Sequence, residues 1–240
     1  MMEIVGLTVR FGGVTPLDDM TVTFGSGTCG LIGPNGAGKT TFFNVLSGFV
    51  RPLSGTVRAL GDNLLAMPHY QRARWGLRRT FQTEQAIEEL SVADNVALAH
   101  EHSRQGSRAS RRADVQSALA FVGLEVAPHV KVETLGARDR RLVEIARAVV
   151  GRPRVVLLDE PAAGLPDEET KHLGHVIRRI PEHTGALAVL VDHDMSLVSA
   201  CCDTTAVLDF GKLIAAGPTA EVLRDENVVR AYLGTEPVEL

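Results

Sequence analysis

Residues 33–40 read GPNGAGKT, and this stretch decides the fold. It matches the pattern G-x-x-x-x-G-K-[ST], in which glycines let backbone N–H groups turn inward around phosphate oxygens. The apolar run 29–32 precedes it and a helical pattern over 40–46 follows it, so it is predicted to connect a strand to a helix. The start of that helix adds a dipole that favours an anion. An ordinary glycine turn is the alternative, and the flanking strand and helix disfavour it.

We call residues 33–40 the phosphate loop. Its last two residues, Lys39 and Thr40, carry a positive charge and a hydroxyl group. Lys39 is predicted to reach the β- and γ-phosphates of a nucleotide, and Thr40 is predicted to bind Mg²⁺. The predicted cofactors are therefore ATP and Mg²⁺.

Two acidic residues follow a second apolar run. The run 155–158 is predicted to be a buried strand, and it delivers Asp159 and Glu160 to the carboxyl end of a sheet, where ligands of open α/β sheets bind. Asp159 is predicted to hold Mg²⁺, directly or through water. Glu160 is placed to polarise the attacking water as a general base. An acid at the end of a strand is weak evidence alone, but the phosphate loop upstream strengthens it.

A histidine and a glutamine complete the candidate site. His193 comes just after another buried strand, a position that favours contact with the γ-phosphate over the structural role of most single histidines. Gln82 lies at the predicted boundary between the core and a helical region, and it carries no meaning without the other motifs.

Hydrophobic periodicity divides the chain into an α/β part, a helical part and a second α/β part. Strands are predicted over 4–9, 20–24, 29–32, 56–60, 155–158 and 187–191, with a hairpin of 206–208 and 213–216. Helices are predicted over 40–46, 92–99, 113–122, 140–150 and 169–179, and a last one ends near residue 233. The prediction is an α/β nucleotide-binding core interrupted by a helical subdomain.

The composition is that of an ordinary globular protein. A formal net charge of -4 does not favour a nucleic-acid binder, which usually has a basic surplus. No apolar run is long enough for a membrane helix and no secretory signal is visible, so other chains are expected to form any pore. Three cysteines lack metal-binding spacing and are expected to be small buried residues: Cys29, Cys201 and Cys202.

An arginine-rich stretch, residues 103–112, lies between two predicted helices. It is either a solvated loop or a contact for anionic lipid head groups. Its arginines are Arg104, Arg108, Arg111 and Arg112.

Taken in order, these motifs resemble the ATPase subunits of ABC transporters over about residues 3–233. The resemblance implies that 33–41 is the Walker A motif and 155–159 the Walker B motif. It also implies that Glu160 is the catalytic glutamate and His193 the switch histidine. The nucleotide-binding residues that it implies are Phe11, which would stack on adenine, and Gly33, Pro34, Asn35, Gly36, Ala37, Gly38, Lys39, Thr40 and Thr41.

The resemblance also gives Gln82 a role and predicts the fold and the partners. Gln82 would be the Q-loop glutamine, in contact with both the reaction and the metal, which makes Thr40, Gln82 and Asp159 the metal-binding residues. The implied fold is a P-loop NTPase (RecA-like) core with an antiparallel β subdomain, over 1–82 and 152–234, and a helical subdomain inserted at 83–151. The tail is 235–240.

As an ABC subunit, the chain would lie at the cytoplasmic face of the plasma membrane as a peripheral protein. Its expected partners are a second ATPase subunit in a homo- or heterodimer, membrane permease subunits and, indirectly, a solute-binding protein, with no nucleic acid.

Several segments are similar to the ATPases of branched-chain amino-acid importers. They are residues 10–13, 48–49, 79–82, 160–165, 193–195 and 231–234. Import of a branched-chain or similar small amphipathic solute is the favoured interpretation. The alternatives are a lipid or lipopolysaccharide exporter, a subunit of low turnover, and a soluble ABC protein of translation or DNA repair, which usually has tandem domains or long coiled coils.

Two motifs depart from the family. The signature, Leu-Ser-Gly-Gly-Gln or Leu-Ser-Tyr-Gly-Gln, reads Leu-Gly-Ala-Arg-Asp at 135–139, so Gly136 replaces the serine that contacts the partner's γ-phosphate. Such a hydrogen bond is worth roughly 1.5–3 kcal/mol. Arg138 replaces a glycine, and Pro166 stands where the D-loop has Asp or Asn. One hypothesis is a heterodimer in which this chain supplies an intact Walker A and a weakened signature.

Overall fold

A computed structural model describes residues 1–101 and 110–233. The strands, in chain order, are β1 (Met2–Phe11), β2 (Val14–Phe24), β3 (Thr28–Ile32), β4 (Ser54–Ala59), β5 (Asp62–Asn63), β6 (Leu77–Arg79), β7 (Val155–Asp159), β8 (Leu187–Val191), β9 (Thr204–Asp209) and β10 (Lys212–Pro218). The α-helices are α1 (Lys39–Ser47), α2 (His69–Trp75), α3 (Val92–Glu101), α4 (Arg111–Val122), α5 (Ala137–Val149), α6 (Asp167–Arg178), α7 (Ile180–Thr184), α8 (Met195–Cys201), α9 (Thr219–Val222) and α10 (Glu226–Leu233). Most of the arginine-rich stretch (103–109), Gly234 and the predicted tail 235–240 lie outside the described residues.

The chain divides into two compact units. The first unit is Met1–His69 with Val189–Leu240, and the second unit is Tyr70–Ala188. The predicted boundaries of the core and of the helical subdomain, at 82/83 and 151/152, stay predictions.

In the first unit, β1 pairs antiparallel with β2 on one side and with β4 on the other, and β5 extends this sheet beyond β4. Met2, Ile4, Leu7 and Val9 of β1 are all buried. Between Ile4 and Leu7 the register of β1 and β2 shifts, which keeps these apolar residues on the core side of the sheet.

The phosphate loop follows a second group of strands in the first unit. β3 pairs parallel with β9, and β9 forms an antiparallel hairpin with β10, as predicted around Phe210. Every residue of β3 is buried, as expected for a strand covered on both faces. The helix α1 packs its Phe42 ring against Phe24 of β2, with the ring centroids 5.9 Å apart. The loop between β3 and α1 is therefore held at both ends by packed elements.

In the second unit, β6 lies parallel to β7, with Leu77 opposite Val155 and Arg79 opposite Leu157. The helices α3, α4 and α5 pack against one another. α3 and α4 are also joined by a hydrogen bond of 2.8 Å between His100 and Asp114. Asp159, the last residue of β7, and Glu160 thus lie at the end of a strand whose residues are all buried.

The structure differs from the predicted elements mainly at short or polar segments. α5 begins at Ala137 rather than at residue 140, and β2 begins at Val14 rather than at residue 20. Several short elements were not predicted: β5, β6, α2, α7, α8 and α9. α2 shows why, because its buried side chain is that of Arg72, so it has no apolar stripe to detect.

The cysteines are buried and are not joined in disulfides, which confirms the expectation for them. Among the described residues, no helix has both the length and the apolar character needed to cross a membrane.

Candidate functional site

The phosphate loop is a tight turn whose backbone lies against neighbouring strands. Gly33 and Gly38 have φ angles of 156° and 109°, a region that L side chains rarely adopt. A Cβ at Gly33 would come within 2.1 Å of the Leu208 carbonyl oxygen, and one at Gly38 within 2.1 Å of the Pro16 carbonyl oxygen. Only glycine fits at either position, so the loop keeps a side-chain-free backbone concavity.

The Lys39 side chain lies inside this concavity. Its Nζ donates to the carbonyl oxygens of Gly33 at 2.6 Å and of Pro34 at 3.0 Å, and the residue is buried. At the start of α1, Gly38 offers no side chain to cap the first backbone N–H groups. A buried ammonium group beside the start of a helix fits a phosphate anion. Thr40, at the exposed rim, and Thr41 follow on the first turn of the helix.

Phe11 lies in the same unit, on the hairpin of β1 and β2. It pairs with Val14, and 54% of its surface is exposed. Further along this hairpin, Pro16 contacts the loop at Gly38. An exposed aromatic ring on a hairpin that packs against the phosphate loop is compatible with stacking on a nucleotide base.

His193 is held in a turn by two aspartates. The buried Asp192 accepts the backbone N–H of His193 at 2.8 Å and that of Asp194 at 3.0 Å. Asp194 in turn caps α8 by accepting the N–H of Ser196 at 2.8 Å. The backbone is fixed on both sides of His193, while 62% of its side chain is exposed. The imidazole can therefore reach a ligand.

In the second unit, Asp159 is fixed by two residues of the neighbouring segment. Arg79 donates from Nη2 to Oδ2 of Asp159 at 2.8 Å, and both side chains are buried. The backbone N–H of Asp159 donates to Oγ1 of Thr80 at 3.2 Å. The predicted metal-binding carboxylate thus faces a guanidinium group in this structure. Arg79 was noted in the sequence only as part of the subtype pattern 79–82.

Glu160 and Gln82, which are far apart in sequence, are joined directly. Nε2 of Gln82 donates to Oε2 of Glu160 at 3.0 Å. Glu160 has a φ angle of 44°, which is uncommon for a non-glycine residue and is a strained conformation of the kind found at functional sites. The structure therefore brings together two of the predicted catalytic residues.

The segment that carries Gln82 is held by α5. Arg141 donates from Nη2 to the Gln82 carbonyl oxygen at 2.8 Å and from Nη1 to the Phe81 carbonyl oxygen at 3.3 Å. Arg141 also pairs with Glu144 at 2.9 Å, and Glu144 accepts the backbone N–H of Gln85 at 2.6 Å. Burial raises the pKa of Glu144, although the Gln85 N–H and Arg141 oppose that rise. Arg141 and Glu144 lie in the predicted helix 140–150, and nothing in their sequence pattern indicated this role.

The altered signature forms the start of α5. Gly136 is the N-cap, with φ −70° and ψ 167°, and it provides no side-chain cap. Nη1 of Arg138 lies 3.5 Å from Oδ1 of Asp139, the next residue in the first turn. The Arg138 side chain is 37% exposed. Pro166 is likewise the N-cap of α6, again without a side-chain cap. At each departure from the family pattern, a helix thus begins without a capping side chain.

A magnesium ion at Asp159 would need ligands other than the acidic side chains of the described residues. No group of three or more His, Cys, Asp or Glu side chains suited to a metal occurs in 1–101 or 110–233. In the second unit, Asp159 and the amide of Gln82 offer the few protein oxygens that Mg²⁺ usually takes when substrate phosphates supply the others. The residues therefore fit a metal that arrives with a nucleotide.

Comparison with known proteins agrees with these features. The family model "ABC transporter" matches residues 17–163, and the model "Branched-chain amino acid ATP-binding cassette transporter" matches residues 212–238. The high-affinity branched-chain amino acid transport ATP-binding protein LivG of Salmonella typhimurium is 36% identical over 249 residues, with 98% of each chain covered. BraF of Pseudomonas aeruginosa, which has the same description, is 34% identical with the same coverage.

Two further proteins are similar. The lipopolysaccharide export system ATP-binding protein LptB of Acidithiobacillus ferridurans is 34% identical over 219 residues, covering 91% of this chain and 90% of its own. The crystal structure of the ADP conformation of MJ1267, an ATP-binding cassette of an ABC transporter, superposes with a TM-score of 0.85 at 25% identity over 98% of both chains. The predicted P-loop NTPase fold is confirmed, and the chain belongs to the ABC transporter family, as an ATP-binding cassette of the branched-chain amino acid type.

Proposed function

We propose that this chain binds and hydrolyses ATP to energise a membrane transporter that imports branched-chain amino acids or similar small amphipathic solutes. The main support for the proposal is the phosphate loop. Only glycine fits at Gly33 and Gly38, and with the buried Lys39 the loop forms a concavity suited to binding phosphate. The family match at 212–238 and the LivG and BraF relatives support the solute class.

The residues of the first unit bind the nucleotide in this proposal. The loop amides and Lys39 hold the β- and γ-phosphates, and a phosphate oxygen replaces the carbonyl oxygens that Lys39 contacts in the structure. Phe11 stacks on the base, and His193 contacts the γ-phosphate. Both side chains are exposed on fixed backbone, as these roles require.

The residues of the second unit prepare the water. Glu160 accepts the proton of the attacking water, and Gln82 orients the Glu160 carboxylate through their 3.0 Å hydrogen bond. Bound Mg²⁺ would neutralise charge on the phosphates, with Thr40, Gln82 and Asp159 as its protein ligands.

The partners follow from the same proposal. The chain works as a peripheral protein at the cytoplasmic face of the membrane, with permease subunits, a second ATPase subunit and a solute-binding protein. The crystallised cassette MJ0796, which shares this fold at 21% identity, is described as a dimer, and we propose a dimer here too.

A subunit of low turnover is the second candidate, and the signature 135–139 favours it. Gly136 lacks the hydroxyl that would contact a partner's phosphate, and Arg138 adds bulk there. The two candidates differ in which partner is needed: a second copy of this chain, or a different ATPase with an intact signature.

Light scattering of Glu160→Gln, with and without saturating MgATP, separates the candidates, because this substitution is expected to block hydrolysis and so to preserve any ATP-bound dimer that forms. Self-association would show that the altered signature still grips phosphate. A monomer that binds ATP would require a different ATPase partner. A chain that binds no ATP would contradict the proposed function, and Lys39→Ala provides the control for lost binding.

Uptake tests the solute class. Cells that lack this chain should take up less labelled leucine, and the wild-type chain, but not Glu160→Gln, should restore uptake. Unchanged leucine uptake with a defect in outer-membrane lipopolysaccharide would favour the exporter that the LptB relative suggests.

A further inference from the structure

The segment 81–85 has neither helix nor strand hydrogen bonds to hold it. Its backbone is held instead by side chains of α5. Arg141 donates hydrogen bonds to two consecutive carbonyl oxygens, those of Phe81 and Gln82. Glu144 accepts a hydrogen bond from the backbone N–H of Gln85. We call Arg141 and Glu144 the α5 clamp.

A buried ion pair is a costly way to hold a loop. The Arg141 and Glu144 side chains are only 8% and 5% exposed, and such pairs add little net stability over apolar residues of similar size. What the pair does provide is a fixed geometry for the hydrogen bonds to the segment 81–85. The planar guanidinium group donates from two nitrogens to fixed oxygens, a geometry that a lysine ammonium group does not reproduce.

The contacts continue from the clamp to the acid. The Gln82 carbonyl is fixed by Arg141, and the Gln82 amide donates to Glu160. A shift of the Gln82 backbone therefore moves the hydrogen-bond partner of the Glu160 carboxylate. Misplacement of a catalytic group by about 1 Å costs on the order of 10²-fold in rate.

We propose that Arg141 and Glu144 are positioning residues for hydrolysis, which act on Glu160 through Gln82. This proposal rests on the proposed function, because it takes Glu160 as the general base. It adds that the helix behind the altered signature sets the geometry of the acid.

The first test is the double substitution Arg141→Gln with Glu144→Gln, which removes both members of the buried ion pair together. Hydrogen–deuterium exchange of the full chain should show faster exchange at the Gln85 amide, which donates to Glu144. The affinity for a fluorescent ATP analogue should stay within about twofold, whereas kcat of the assembled transporter should fall about tenfold or more. Arg112→Gln, an exposed arginine of α4 in the same unit, is the matched control and should change neither.

A double-mutant cycle shows whether the effect passes through Gln82. In a Gln82→Ala background, removal of the clamp should lower kcat much less than it does in the wild type. Equal losses in both backgrounds, or an unchanged kcat despite faster exchange, would overturn the proposal.

The conservative variant guards against a folding defect. Arg141→Lys keeps the charge and loses the second donor, so it should unfold at nearly the wild-type temperature and show an intermediate kcat. Wild-type kcat in Arg141→Lys would contradict the need for two donors. A wild-type chain that bound no nucleotide would count against the proposed function instead, and the exchange at Gln85 would still test the clamp.

Discussion

The guanidinium group of Arg79 lies 2.8 Å from the carboxylate of Asp159, at the position in the chain where a metal-binding acid is expected. Both side chains are buried, and the guanidinium carbon also lies 4.8 Å from the centre of the Phe81 ring. The positive charge that neutralises Asp159 in this structure therefore comes from the protein. A metal ion that approaches Asp159 meets an acid that already has a cation partner.

Arg79→Met should show what this pair contributes. The substitution is expected to lower the free energy of unfolding by about 3 kcal/mol, because it leaves a buried carboxylate without its cation. Mg²⁺ should recover part of that loss, since a divalent ion can take the place of the guanidinium group. Urea denaturation with and without MgCl₂, in the absence of nucleotide, measures both effects.

Arg78→Met is the matched control for this prediction. The Arg78 side chain donates to the carbonyl oxygens of Ala73 and Leu77. Its loss should destabilise the chain without any gain from Mg²⁺. An equal response of the two variants to Mg²⁺ would show that the ion acts elsewhere.

Two glycines of the phosphate loop should differ sharply when each is replaced by alanine. At Gly36 a Cβ meets no atom within 4 Å, so Gly36→Ala has only the cost of φ 82°, about 1 kcal/mol. At Gly38 the Cβ would lie 2.1 Å from the Pro16 carbonyl oxygen as well, so Gly38→Ala must displace the loop. Urea denaturation should show that Gly38→Ala lowers the free energy of unfolding more than Gly36→Ala does. Nucleotide titration should show that Gly38→Ala also binds nucleotide more weakly. Similar stabilities would mean that the loop relaxes easily.

Gly136→Ser should be accepted without strain. Gly136 has extended φ and ψ angles, and a Cβ there meets no atom within 4 Å. A serine hydroxyl can cap the first turn of α5, which is worth roughly a few tenths of a kcal/mol relative to glycine. Thermal denaturation measures this gain. Gly136→Ala, which has no hydroxyl, should lack it.

The same substitution tests the altered signature. In the Glu160→Gln background, Gly136→Ser should raise ATP-dependent self-association if the missing hydroxyl limits it. Light scattering reports the change. No gain in association, and none in hydrolysis by the assembled complex, would mean that Gly136 is not what weakens this face.

The contact between α3 and α4 should make stability depend on acid pH. Burial opposes ionisation of Asp114, but hydrogen bonds from His100 and Ser110 hold the pKa of its carboxyl group below its ordinary value. Because the pKa of Asp114 is lower in the folded chain, its carboxylate stabilises the fold at a pH above the ordinary pKa of an aspartate. This contribution is lost as the pH falls through the pKa of the folded state. Asp114→Asn should remove this component, so its melting temperature should fall less than that of the wild type between about pH 5 and about pH 2.5. Parallel curves would show that other acids dominate.

The sequence was most informative where local pattern and packing agree. The phosphate loop, β3 and β7 could be predicted because continuous apolar runs lead directly into glycines or acids. The hairpin around Phe210 and the end of α10 at Leu233 could be predicted for similar reasons. These elements carry the fold and most of the candidate residues.

The charged contacts beneath the site could not be predicted from pattern. Arginine and glutamate are rarely fully buried, so nothing in their spacing indicated that Arg79, Arg141 and Glu144 lie inside the protein. The partners of Arg79 and Arg141 are 80 and 59 residues away in sequence, at Asp159 and Gln82. Such pairs depend on the tertiary fold, and the nearest signal in the sequence was the shared subtype pattern at 79–82.

The glycine contacts of the phosphate loop also bear on how the chain acquires its activity during synthesis. The loop at 33–38 lies against Pro16 and Leu208, and Gly211 donates its N–H to the Ala37 carbonyl oxygen. A ribosome-bound chain that ends before Leu208 has the complete loop sequence but lacks the contacts of Leu208 and Gly211 that help to shape it. We therefore expect nucleotide binding to begin only after the β9–β10 hairpin has left the ribosome and packed against the loop.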